Sequence, residues 1–245
     1  MNKRFLVVLG SLLMTGSAFA LTLSDIETQI RRHIRDTSTT ASLQQYSDTV
    51  LDGYINEVQR EVVNMTWCIE KSTGITLVSG TTYYSMPTNM IVPMRVTFDE
   101  YDAVPTDLEE TSLQKLYVER PSFESDPPGS PAEYFIRTST KGATHIEMGF
   151  IPAPGATSTG TVKIDYKAQV TAMASDSDVP FDGLYQYYAY HDLLIYGVVV
   201  KVKLIQGKVD EATAYAGIYN SLIQTMKARL NEMPNFRPNF EGKMK

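Results

Sequence analysis

The sequence holds little of what catalysis, crosslinking or nucleic-acid binding usually requires. Cys68 is its only cysteine, so no intrachain disulfide can form. Exported proteins can do without one, so this leaves the compartment open. The three histidines, His33, His145 and His191, have no second histidine at metal-ligand spacing. There is no G-x-S-x-G, no phosphate-binding loop and no dinucleotide fingerprint. Basic residues are few: 22 Lys and Arg stand against 28 Asp and Glu, for a net charge of −6 and a pI near 5.1. That balance argues against DNA binding as the main activity. The mostly apolar run at 5–14 falls short of the roughly 20 residues a membrane-spanning helix needs. No repeat of 20–50 residues stands out.

What is present begins with "MNKRFLVVLGSLLMTGSAFA". Lys3 and Arg4, the apolar run and Ala18-Phe19-Ala20 follow the order of a secretory signal, with cleavage before Leu21. About 225 residues follow, enough for one large domain or two small ones with a real core.

The pattern then reads helix, sheet, helix. Ser24 and Glu27 form an S-x-x-E capping box. Ile26, Ile30 and Ile34 mark one face of a helix ending near Asp36. Ser47 or Asp48 caps a second helix, running to about Trp67, with Leu51, Tyr54, Ile55, Val58, Val62 and Met65 on one stripe. "GITLVSGTTYYSMP" reads as a hairpin around Ser79-Gly80. "MIVPMRVTFDE" follows as a strand whose Pro93 implies an edge or a bulge. Residues 99–133 hold ten acids against Lys115 and Arg120, a local charge of −8; most of this is loop, with a short helix at about 111–118. "AEYFIRTS", "ATHIEMGFIP" and "GTVKIDYKAQV" are three more strands. In the last, Val162, Ile164 and Tyr166 face inward, and Lys163, Asp165 and Lys167 face out. From Pro180 the period is helical again, through Leu184, Tyr188, His191, Ile195, Val198, Val202 and Ile205 to a stop at Gly207. A last helix at about 209–233 carries Tyr215, Ile218, Leu222, Met226 and Leu230. The expected architecture is α+β: a helical bundle from both ends (21–70 and 176–233), an antiparallel sheet domain inserted at 71–175, and an extended tail at 234–245.

Each candidate for chemistry has a plain structural reading. The histidines and Cys68 read as structural groups. "SDSDVP" at 175–180 offers two carboxylates but lacks the Gly and Glu of a calcium loop; Asp178 reads as the cap of the helix that follows. Asn64-Met65-Thr66 is a formal glycosylation sequon inside a helix, where it has no use. No catalytic residue, metal site or cofactor is expected.

The aromatic residues say more. Tyr185, Tyr187, Tyr188, Tyr190 and Tyr196 crowd one helix over more than one face. The surplus belongs either to the core or to a subunit interface, for which Tyr185, Tyr187, Tyr190 and Tyr196 are the candidates. The tail "PNFRPNF" (Pro234, Phe236, Arg237, Pro238, Phe240) is either a frayed end or a segment that docks into a partner. Residues 200–245 carry a net +4, so the chain is polarised between an acidic middle and a basic end.

The order of segments resembles one family. "LTLSDIETQIRRHIRDTS" and "YSDTVLDGYINEVQREV" resemble the opening helices of head-to-tail adaptors of tailed bacteriophages. "GTTYYSMPTNMIVPMRV" resembles their Tyr-x-x-Pro strand pair. "GSPAEYFI", "HIEMGFIPAPG", "TVKIDYKAQV" and "DSDVP" resemble their later strands, turn and acidic loop. The resemblance covers 21–233 and implies a non-enzymatic virion protein assembled in the host cytoplasm. Its implied partners are copies of itself in a dodecameric ring, the portal protein, and a tail or nozzle protein. Double-stranded DNA would pass through the ring without specific binding. The same resemblance implies that Pro234, Phe236, Arg237, Pro238 and Phe240 reach the portal. Residues 1–20 depart from the family pattern: they are an upstream start, a retained apolar segment or a true signal. The last would make the chain a periplasmic or secreted α+β binding or envelope protein. An enzyme built on scattered acids is a third, weaker expectation.

Overall fold

The computed structural model describes residues 20–38, 40, 44–100, 104–138, 146–156 and 160–232. Helices α1 (Leu23–Ile34) and α2 (Asp48–Thr66) come first. Strands β1 (Glu70–Thr76), β2 (Tyr83–Ser85) and β3 (Met90–Glu100) follow, with two-residue strands β4 (Thr106–Asp107) and β5 (Glu109–Glu110). Helix α3 (Leu113–Glu119) precedes β6 (Glu133–Thr138), β7 (Ile146–Ile151) and β8 (Gly160–Ala168), and the chain returns to helix in α4 (Asp192–Ile205) and α5 (Val209–Glu232). The result is α+β, with five helices and two antiparallel-rich sheets among the described residues.

The N-cap of helix α1 lies two residues before the expected one, Ser24. Thr22 is the N-cap: its hydroxyl accepts from the Asp25 N–H at 3.3 Å, and the Asp25 carboxylate accepts from the Thr22 N–H at 3.0 Å. Ser24 instead lies inside the first turn, where its N–H donates to the Asp176 carbonyl at 3.2 Å. Ile26, Ile30 and Ile34 are buried as the spacing predicts. On α2 the stripe is Leu51, Ile55, Val58 and Val62, all buried; Met65, expected on it, is exposed because the stripe has rotated past it.

Helix α4 is apolar nearly all round, with Leu193, Leu194, Ile195, Val198, Val199 and Val202 buried. Such a helix must be covered on several sides, and α1, α2 and α5 all pack against it. Gly197 permits the close approach: a Cβ placed there would lie 2.5 Å from Val58 Cγ1 and 3.0 Å from Tyr219 Cε2. The helix does not begin at Pro180 as the period implies. Phe181 and Asp182 both adopt φ of 55°, so 180–190 forms two 3-10 segments, and Leu184 lies between them. Ile205 on α4 and Ile218 on α5 are exposed, while Tyr219 and Ile223 take the inward face of α5.

The sheets have orders β1-β8-β3-β4 and β2-β7-β6-β5, antiparallel except for the β5–β6 pair. The expected hairpin is absent. The turn at Ser79-Gly80 is there, with Gly80 at φ 75° and the Thr81 N–H bonded to the Val78 carbonyl. It passes the chain from one sheet to the other: β1 pairs with β8 and β2 with β7. A turn signature reports the bend and not the partners. The register of β3 against β8 shifts on both sides of Pro93, as a bulge. Strand β8 buries Val162, Ile164 and Tyr166. Lys167, expected in solvent, is also buried; it stands opposite Glu70 in register, and its ammonium is 2.5 Å from that carboxylate.

One apolar core runs from the helices into both sheets, from Ile26, Val58 and Leu194 to Ile164 and Phe150. A smaller one, Leu116, Phe123, Phe135 and Ile151, lies under α3.

Candidate functional site

The residues singled out from sequence divide sharply. Tyr187 is buried, its hydroxyl donating to the Cys68 carbonyl at 2.6 Å, and burial raises its phenol pKa. Tyr190 is buried as well. Tyr196 is half-buried, stacked 6.1 Å from Tyr215 with His33 beside both rings. Tyr185 is 80% exposed. The tail residues Pro234, Phe236, Arg237, Pro238 and Phe240 lie outside the described residues, as do 1–19 and His145.

His191 is a structural acceptor. The Leu21 N–H donates to its Nδ1 at 3.1 Å, and the ring lies against Phe181 and Tyr188. Burial lowers its pKa to about 4, so the imidazole is neutral and its acceptor nitrogen is occupied. Cys68 is buried, and its thiol is pushed up to about 11, which removes it as a nucleophile at neutral pH.

The loop "SDSDVP" caps a helix, but a different one from that expected. The carbonyls of Asp178 and Asp176 accept from the Leu23 and Ser24 N–H groups, at 2.8 and 3.2 Å, and so close the first turn of α1. The Asp178 carboxylate folds back on the Ala174 and Ser175 N–H groups, which lowers its pKa. Neighbouring Asp182 accepts from the Thr171 N–H and pairs with Lys71 at 2.7 Å.

Sequence reasoning missed the residues that hold this loop. On α2, Asn56 accepts from the Met173 N–H at 2.8 Å and donates to the Met173 carbonyl at 2.9 Å. One turn on, buried Gln59 accepts from the Phe181 N–H at 2.9 Å and donates to the Thr171 carbonyl at 3.2 Å. Two amides at i and i+3 beside an apolar stripe were the available signal. Arg31 makes a similar clamp between α1 and α2, reaching Asp36 at 3.0 Å, Asp48 at 2.5 Å and the Tyr46 carbonyl at 2.9 Å. Beside it, Glu27 lies within the field of the Asp52 carboxylate. Burial and that carboxylate raise the Glu27 pKa to about 8.

Among the described residues no group of three or more His, Cys, Asp or Glu is placed to hold a metal ion, and no helix is long and apolar enough to cross a membrane. The polar groups brought together tie backbone segments to one another. Fold and polar network together define an α+β protein whose described helices and sheets are tied to one another through backbone-directed side chains. Residues 21–239 match the family model described as SU10 adaptor protein, and the chain belongs to that family of phage head-to-tail adaptors. No curated protein matches the chain.

Proposed function

We propose that the chain is a structural virion protein, the adaptor ring that joins the portal of a filled phage head to the tail. The family match over 21–239 carries this reading. In it, copies of the chain form a dodecameric ring beneath the portal protein, and a tail or nozzle protein attaches below. The helices of 21–70 and 176–233 act as one bundle, 71–175 as its inserted sheet domain, and 234–245 as an arm, through Pro234, Phe236, Arg237, Pro238 and Phe240, that docks on the portal. Tyr185, with most of its ring in solvent, and half-buried Tyr196 are the tyrosines left to meet a neighbour. The net charge of −6 suits a channel that duplex DNA slides through, since an acidic wall offers no phosphate contacts.

Electron microscopy of the purified chain mixed with its portal tests this: capped portal rings are expected. Truncation after Met233 should abolish capping and leave the monomer folded; undiminished capping removes the tail from the interface. The signal-like 1–20 favours a second reading, an exported envelope protein. Protein starting at Leu21 in the periplasm would support it, and Met1 in assembled virions would exclude it.

A further inference from the structure

A sheet edge offers unpaired N–H and C=O groups to any extended chain that meets it, and proteins guard such edges with short strands, prolines, bulges or charges. Three of the four end strands in the described sheets, β2, β4 and β5, are only two or three residues long. The fourth, β1, has seven residues, no proline and an unbroken register against β8. Its charges are already engaged, Glu70 by Lys167 and Lys71 by Asp182. The Ile69 carbonyl accepts from the Ala168 N–H, and the Leu77 N–H donates to the Gly160 carbonyl, both at 2.9 Å. Odd-numbered residues therefore turn their backbone groups toward β8. Glu70, Ser72, Gly74 and Thr76 turn theirs outward. All four are exposed, and their N–H and C=O groups have no backbone partner among the described residues. On the opposite face of the strand Lys71, Thr73 and Ile75 are half-buried, and Ile75 packs on the main core.

The C-terminal tail has the pattern of a partner for this edge. In "PNFRPNFE" (234–241), Pro234, Phe236, Pro238 and Phe240 alternate with Asn235, Arg237, Asn239 and Glu241. In an extended chain these are an apolar and a polar face, with both prolines in one phase. The missing proline donors then fall on one side, as in an edge strand, and each polar residue keeps its N–H and C=O for the other. Antiparallel pairing of those residues with Glu70, Ser72, Gly74 and Thr76 sets polar face beside polar face and lays the phenylalanines along the half-buried side. Parallel pairing reverses the faces and exposes the phenylalanines. Direction then decides which copy supplies the tail. Both α2 and α5 run antiparallel to α4: Gln206 bonds Gln45 at 3.2 Å, Lys203 pairs with Glu211, and Val58 and Tyr219 both lie against Gly197. They end on the same side, where three residues lead from α2 into β1. A copy's own tail therefore starts at the beginning of β1, with only Met233 between α5 and Pro234 in which to turn. We propose that residues 234–241 of one copy add as an antiparallel strand to the β1 edge of the next. The contact joins two different surfaces, so it repeats in one direction and closes into a ring when the rotation allows. It goes beyond the portal reading by giving the tail a neighbouring copy as its partner.

Fluorescence anisotropy of a labelled synthetic peptide of residues 233–245, titrated with the dilute full chain, tests the contact. Binding is expected below about 1 mM, and equally for the full chain and for the chain cut after Met233. N-methylation of Phe236 should leave it unchanged, because that N–H faces away from β1. N-methylation of Arg237 should weaken it roughly tenfold, with every side chain intact. Ser72→Pro removes an N–H that is unpaired in the single chain; it should weaken binding similarly while circular dichroism stays native. No binding, equal loss from both methylated peptides, or a folded Ser72→Pro chain that binds undiminished would overturn the contact. A peptide that binds only the cut chain would also overturn it, by placing the tail on its own β1. None of these results touches portal capping, which microscopy reads separately.

Discussion

His191 and Glu27 carry opposite pH dependences, and both follow from where the fold puts them. The pKa of His191 falls to about 4 on folding, so between the unfolded value near 6.5 and that figure the unfolded chain binds the extra proton. The stability the neutral ring contributes is present above pH 6.5 and is lost as pH falls toward 4, up to about 3 kcal/mol. Urea unfolding at pH 7, 5.5 and 4.5 should show the loss, and His191→Gln should remove most of that slope; an unchanged slope means that another group sets it. Glu27 runs the other way. Its folded pKa is raised to about 8, so its contribution is intact below pH 4.5 and fades as pH rises through 8 and the Asp52 carboxylate is left facing a second charge. Glu27→Gln keeps the size of the side chain and removes the charge. It should stabilise by about 1 kcal/mol at pH 8 and make little difference at pH 4.5, measured by the same unfolding series. Neither effect was visible in sequence, where Glu27 read as half of a capping box and His191 as one more position on a stripe.

Helices and strands inherit their stability from a few contacts that local pattern does not announce. Gly197 lies where α2 and α5 meet α4, with Val58 and Tyr219 against its Cα. Gly197→Ala gains helix propensity but adds a methyl group where there is no room. A net loss of about 1–3 kcal/mol is expected, read as a lower urea midpoint with unchanged slope; a gain in stability would show that the packing yields. The element types were legible because periodicity is a local property: α1, α2, α5, β3, β6, β7 and β8 all stand close to where spacing puts them. Pairing was not, because β1 and β8 are brought together from 85 to 97 residues apart, and a turn at Gly80 looks the same whichever strands it joins. The break before α4 escaped for a related reason. Its cause is the positive φ of Phe181 and Asp182, held in part by Gln59 from α2, and no window of sequence around 181 contains Gln59.

At the scale of the whole molecule, the two cores should not be equally stable. The main core links all the long helices to both sheets through dozens of buried side chains, whereas α3 is held over only four, Leu116, Phe123, Phe135 and Ile151. Ring contacts of Phe123 with Phe135 at 5.8 Å and with Tyr117 at 5.5 Å join α3 to β6, and ion pairs of Arg120 with Asp126 and Glu133 add little at such exposure. A unit of that size opens on its own at a free energy well below global unfolding. Amide hydrogen exchange should therefore show α3 exchanging through local opening, while α4 exchanges only with the whole chain. Phe123→Ala, which removes about 3 kcal/mol of packing, should deprotect 113–125 and leave α4 unchanged. If α3 and α4 exchange with the same free energy in the native chain, the two cores are one cooperative unit. If they differ as expected, the acidic middle of the chain can adjust to a neighbour while the helices around α4 keep their shape. In the adaptor ring proposed above, that division would let the helices around α4 stay fixed while the acidic middle adjusts to what it meets.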